Sequence, residues 1–186
     1  VVYVHPDELP LAANGNLTVF EKYANPLDHW IILPLLRLMP RRRVESIISR
    51  ASLKDVAVAF DPGIAVPDLP DWWCIPTPGH TPGHVAFFRT SDRVLVTGDA
   101  VVTVDLNSFW GFLLWGLRLN KQKVSGPPWY STWNRRAAKE SVAILAGLEP
   151  RVLASGHGVP MTGDGTTRAL HAFADHFSGS DAAKHT

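Results

Sequence analysis

Residues 72–99 read WWCIPTPGHTPGHVAFFRTSDRVLVTGD, and the fold follows from this stretch. VAFFR at 85–89 and RVLVT at 93–97 are β-rich runs joined by the polar TSD, a pattern that predicts an antiparallel hairpin. In such a hairpin the residues just before the first strand and just after the second lie at the same end. His80 and Asp99 hold those positions. Further on, RVLAS at 151–155 reads as a strand arriving from a crossover helix. It delivers His157 to the same place, provided it points the same way as the strand leading to Asp99. Each of the three residues has glycine beside it, in PGH, TGD and SGHG, and glycine lets the backbone turn sharply enough to aim side chains at one point. Two imidazoles with a carboxylate suit zinc, iron or manganese, and no thiolate is offered.

Together these residues carry a specific likeness. TPGHTPGH at 77–84, TGD at 97–99 and SGHG at 155–158 resemble, in order and spacing, the third, fourth and fifth motifs of the metallo-β-lactamase superfamily. The resemblance implies an α+β fold, the αββα sandwich, with this chain forming its second half: the second sheet, its covering helices and little of the first sheet. It also implies a site of two divalent ions, zinc first, with iron or manganese as alternatives. His80 would bind the first ion, Asp99 would bridge both and act in catalysis, and His157 would bind the second. His84 matches a histidine that adjoins the site without ligating. The reaction implied is hydrolysis, in which a water shared by the ions, its pKa brought from 15.7 towards about 7, supplies hydroxide to an ester, thioester, lactone or related small substrate. Such chemistry needs no serine or cysteine nucleophile, so Cys74 is read as a core residue.

The likeness has one departure. The superfamily's first signature, HxHxDH, is absent: the histidines are His5, His29, His80, His84, His157, His171, His176 and His185, and none forms that pattern. Asp28 and His29 make a lone DH pair that is not expected to substitute. Counting Asp99 twice, each ion would keep two protein ligands where a catalytic zinc usually has about three. The expectation is that full metal binding needs the missing motif, and that this chain alone binds metal weakly and is inactive. The alternative function is a non-catalytic remnant or interaction module of the same fold. A strand at the very first residues, VVYV, agrees with a natural polypeptide that starts earlier.

The rest of the chain sets bounds. At 186 residues, 46% of them hydrophobic, it suits a single domain, read as one partial domain over 1–186. Eighteen Lys and Arg against 17 Asp and Glu leave a net charge of +1, which gives no reason to expect a nucleic acid. Cys74 is the only cysteine and can form no internal disulfide; a cytoplasmic location is the working expectation. Residues 25–43, NPLDHWIILPLLRLMPRRR, form an apolar insertion broken by Pro34 and Pro40, too short to span a bilayer. A buried or lid helix is expected there in preference to a membrane contact, which is kept as a lesser reading together with residues 109–119.

Helices are expected from Val44 to about Leu53, from Arg135 to about Leu148 with Asn134 as cap, and from Thr166 to Phe177, with a strand at 56–60. His5 is read as structural, and His171 and His176 as solvated. Trp110, Trp115 and Trp129, with Trp133, are read as a lid or pocket wall for a small-molecule substrate. Uncovered strand edges would favour self-association.

Overall fold

The computed structural model describes residues 1–14, 17–62, 66–117 and 121–179, apart from the side chains of Asn14, Phe109, Phe112 and Trp115. Its centre is a five-stranded mixed sheet ordered β3 (Trp72–Pro76), β4 (Val85–Arg89), β5 (Val94–Val96), β6 (Val152–Ala154) and β7 (Met161–Thr162). The expected hairpin forms as β4 and β5, paired antiparallel with Phe88 opposite Leu95. β6 then pairs parallel to β5 in the register Val94 to Val152, Leu95 to Leu153 and Val96 to Ala154. This parallel step is the condition the sequence left open. It sets the carboxyl ends of β3, β5 and β6 and the amino end of β4 along one edge, so the loops carrying His80, Asp99 and His157 leave the sheet together.

Two helices cover one face. α6 (Arg135–Gly147) starts where expected, with Asn134 Oδ1 accepting from Ala137 N–H at 3.1 Å, and its buried face carries Ala138, Val142, Leu145 and Ala146. That spacing is the helical period read from the sequence. α7 (Gly165–Gly179) closes the layer through Leu170 and Ala174, leaving His171 and His176 exposed. The core they share with the sheet is Ala86, Phe88, Leu95, Leu153 and the loop residues Ala100, Val101 and Val124. Alternate residues of β4, Ala86 and Phe88, point into it. Between β5 and α6 the chain makes a long excursion that includes α5 (Phe109–Gly116). Val102 and Ser125 form an antiparallel bridge at its neck.

The first part of the chain is built differently. β1 (Val2–Val4) and β2 (Ala57–Ala59) form a separate parallel pair. Between them lie α1 (Leu9–Asn14), α2 (Leu17–Lys22), a π-helical turn Asp28–Ile32 continuing into α3 (Leu33–Leu38), and α4 (Arg41–Ala51). Asn25 and Asp28 bond reciprocally around the helical turn that leads into the π-helical stretch: Asp28 N–H donates to Asn25 Oδ1 at 2.9 Å, and Asn25 N–H donates to Asp28 Oδ2 at 3.2 Å. Asp28 of the lone DH pair thus has a helix-starting role, and His29 is exposed. A cavity of about 850 Å³ lies among these helices, lined by Leu17, Leu36, Met39, Val44 and Ile48 with Arg37 and Arg41. Among the described residues, no helix is long and apolar enough to cross a membrane.

Candidate metal centre

Asp99 sits between two imidazoles. Its Oδ2 lies 3.7 Å from His80 Nε2 and its Oδ1 lies 3.6 Å from His157 Nε2. Three residues separated by up to 77 positions in sequence therefore meet at the sheet edge, as the strand directions require. The separations are too long for hydrogen bonds. They are compatible with a cation between each pair, since two donors each about 2.0–2.2 Å from one ion lie no more than about 4.4 Å apart.

Asp99 Oδ1 is buried and has no hydrogen-bond partner, and His80 Nδ1 is in the same condition. An unpartnered buried carboxylate oxygen costs free energy unless something positive faces it. The backbone is cut to admit that oxygen: a Cβ on Gly156 would lie 2.3 Å from Asp99 Oδ1. Orphaned oxygen, cradle and donor set all fit a metal ion. Even so, among the described residues no group of three or more His, Cys, Asp or Glu side chains could hold an ion by itself. The arrangement is two pairs of donors sharing one carboxylate.

His84 holds Asp99 in place. Its Nε2 accepts the backbone N–H of Asp99 at 3.1 Å, so the ring proton sits on Nδ1 and is donated to Thr77 Oγ1 at 2.7 Å. Both ring nitrogens are used, which leaves the imidazole no lone pair for a metal. Burial, reinforced by the neighbouring His80, lowers the His84 pKa to about 4, so it remains the neutral acceptor that Asp99 requires. Gly98, at φ +52°, brings the two together: a Cβ there would stand 2.8 Å from His84 Nε2. Burial also lowers the pKa of His80, opposed by the Asp99 charge, and this favours the neutral form that can ligate.

The loops are fixed by contacts from across the molecule. Gly83 N–H donates to Glu8 Oε1 at 2.7 Å, tying the TPGHTPGH loop to the turn that starts α1. His5 belongs to that turn, its Nδ1 accepting from Asp7 N–H at 3.1 Å, and is structural as expected. The His80 carbonyl accepts from Trp133 N–H at 3.1 Å, and the His157 carbonyl accepts from Ser155 Oγ at 2.7 Å. Glu8 and Ser155 were not candidates from the sequence. Glu8 acts over 75 positions, with no local motif to reveal it.

Of the tryptophans, Trp133 adjoins His80 through its backbone. Trp110 on α5 and Trp129, which stands edge-on to Tyr130, are exposed, and the Trp115 side chain lies outside the described residues. Cys74 is half-buried on β3, and burial raises its thiol pKa to about 11.

Fold and site define a class: an α+β protein whose strand-end loops gather histidine and aspartate at a candidate metal centre. The chain belongs to the metallo-β-lactamase superfamily, whose sequence pattern matches residues 29–157. It is 38% identical over 180 residues to YflN of Bacillus subtilis, a probable metallo-hydrolase, covering 95% of this chain and 62% of that protein. The chain thus spans less than two thirds of that relative's length. Among solved structures it resembles the metallo-β-lactamase family protein TTHA1429 of Thermus thermophilus, with a TM-score of 0.58 at 19% identity over 98% of this chain and 53% of that one. It also resembles an archaeal superfamily protein, ST1585 of Sulfolobus tokodaii, with a TM-score of 0.50 at 13% identity over 94% and 57%. These likenesses bear on the fold.

Proposed function

We propose that this chain carries the His80, Asp99 and His157 part of a metal-dependent hydrolase acting on an ester, thioester, lactone or related small substrate. The observation that carries the reading is the Asp99 carboxylate, flanked by two imidazole nitrogens with one buried oxygen unpartnered. Two divalent ions bound there, zinc first, would supply Lewis acidity and water acidified to near neutrality.

The chain's own residues do the rest. His80 and His157 present Nε2 donors from opposite sides. Asp99 offers one oxygen to each side and so holds the two positions at a fixed separation. His84 and Thr77 lock the backbone of Asp99, and Glu8 keeps the His80 loop from drifting, because donors shifted by an ångström lose much of their effect. Trp110 and Trp129 would border the substrate, supplying apolar walls that limit access of bulk water.

Membership of the superfamily supports hydrolysis. The likeness to a probable metallo-hydrolase supports it further. Because each ion would find only two ligands here, the chain alone should bind zinc weakly and turn over no ester. Equilibrium dialysis with zinc tests the site: weak uptake that Asp99→Asn abolishes is expected, and uptake indifferent to that change would overturn the assignment. Dialysis-resistant binding of two ions would instead refute the weak-binding expectation. A non-catalytic interaction module is the second reading, motivated by the absence of any three-donor group among the described residues. It requires that supplying an HxHxDH segment in a longer chain restore no hydrolysis.

A further inference from the structure

The connection between β1 and β2 turns a greasy face outward. Trp30, Ile31, Leu35 and Leu38 are 81%, 56%, 56% and 85% exposed. Ile31, Leu35 and Leu38 follow at helical spacing and so share one side of the stretch 28–38. The inward side is separate: Leu33 is buried and Leu36 lines the cavity beneath. The outer residues are therefore surplus to packing within the described chain, so of the buried or lid helix expected from composition only the inner side is buried.

Beside this face stand three cations that form no ion pair among the described residues, with Arg41 at the border of the cavity. Arg41, Arg42 and Arg43 are exposed and occupy the first turn of α4, which contains no acidic residue. Positive side chains at that end oppose the helix dipole, so the fold gains nothing from them there. Among the described residues none of the three forms an ion pair, whereas Arg37 is bound to Glu21 at 2.8 Å. Residues 28–43 contain four arginines against one aspartate, in a chain whose overall charge is only +1. An outward Trp, Ile and Leu face continuous with unpaired arginines is the pattern of a helix lying in the plane of a bilayer surface.

We propose that residues 28–43 dock this protein on an anionic lipid surface. Trp30, Ile31, Leu35 and Leu38 enter the boundary between headgroups and acyl chains, and Arg41, Arg42 and Arg43 meet the phosphates. Charge complementarity selects lipid over a second copy of the chain: a twofold contact through this face would bring two arginine clusters together. The inference does not depend on the metal centre.

Co-sedimentation of the intact chain with vesicles provides the test. Binding to mixed phosphatidylcholine and phosphatidylglycerol vesicles should exceed binding to phosphatidylcholine alone by about tenfold and weaken with added salt. Replacing Arg41, Arg42 and Arg43 by Gln should cut binding to the anionic vesicles by about tenfold or more and remove the salt dependence. Trp30→Ser combined with Leu35→Ser and Leu38→Ser should abolish it. All six positions are exposed, so thermal unfolding should move little in either variant, and the arginine variant alone suffices if the other fails to fold. Failure of the intact chain to sediment, equal binding to both vesicle types, or a serine variant that alters only the oligomeric state in size-exclusion chromatography would overturn the proposal.

Discussion

Residues 72–179 and residues 1–60 reach stability by different routes. In the later region the sheet and two helices bury a continuous set of apolar side chains, Leu95, Val142, Leu145, Leu153 and Leu170 among them, each wholly enclosed. In the earlier region, among the described residues, only Leu33 and Val44 are buried hydrophobic residues, short helices surround a cavity of about 850 Å³, and many large apolar side chains face out. Apolar residues can thus make a core or a surface, depending on whether a broad sheet is present to pack against. His80, Asp99 and His157 all issue from the well-packed region, and Glu8 reaches the His80 loop from the other.

The largest expected effect tests that contrast directly. Leu153→Ala should cost about 3 kcal/mol in denaturant unfolding, since the sheet and α6 cannot collapse into the space. Ile48→Ala beside the existing cavity should cost under about 1 kcal/mol, because little close packing is lost there. Equal losses at the two sites would break the distinction. Next, His84→Ala should cost about 2 kcal/mol by leaving buried Thr77 and the Asp99 amide without their partner, and should lower zinc uptake as Asp99 loosens. Calorimetry and equilibrium dialysis read the two parts separately. If uptake is unchanged, His84 holds the loop without setting the donor geometry.

How much of this was legible in the sequence depended on distance along the chain. The hairpin, the capped helix α6 and the convergence of three loops could be read because turn chemistry, period and cap are local signals, and the parallel pairing of β6 supplied the remaining condition. β7 was missed because two residues, Met161 and Thr162, leave no alternation to detect. α4 begins at Arg41 rather than Val44, since three arginines read as a loop when their helical continuation is not in view. The outward side of Trp30 to Leu38 could not be assigned within the expected buried or lid helix, because composition registers how apolar a segment is and not which way it faces. Glu8 depends on a contact made only after folding.

Two smaller effects sharpen the picture. Asn134→Ala should destabilise by about 1 kcal/mol through loss of the α6 cap, measurable in the same unfolding assay. Cys74 should be nearly inert to iodoacetamide at neutral pH. Because burial raises its pKa to about 11, the native alkylation rate should climb steadily with pH up to that value, whereas the unfolded chain should level off earlier. A native rate that levels off as early as the unfolded one would mean that β3 opens readily at its sheet edge.

The bridge between Val102 and Ser125 pinches the excursion between β5 and α6 into a closed neck. α5 lies beyond that neck, whereas Thr103, just inside it, donates its amide to the His157 carbonyl at 3.1 Å, and Gln122 donates to the Val159 and Pro160 carbonyls, which ties the neck to the loop carrying His157. The outer part behaves as an exchangeable cassette: a graft that replaces α5 and keeps Thr103 and Gln122 would leave the donors where they are. Evolution and the protein engineer have the same freedom there, to rewrite an outer segment without moving the three side chains beneath it.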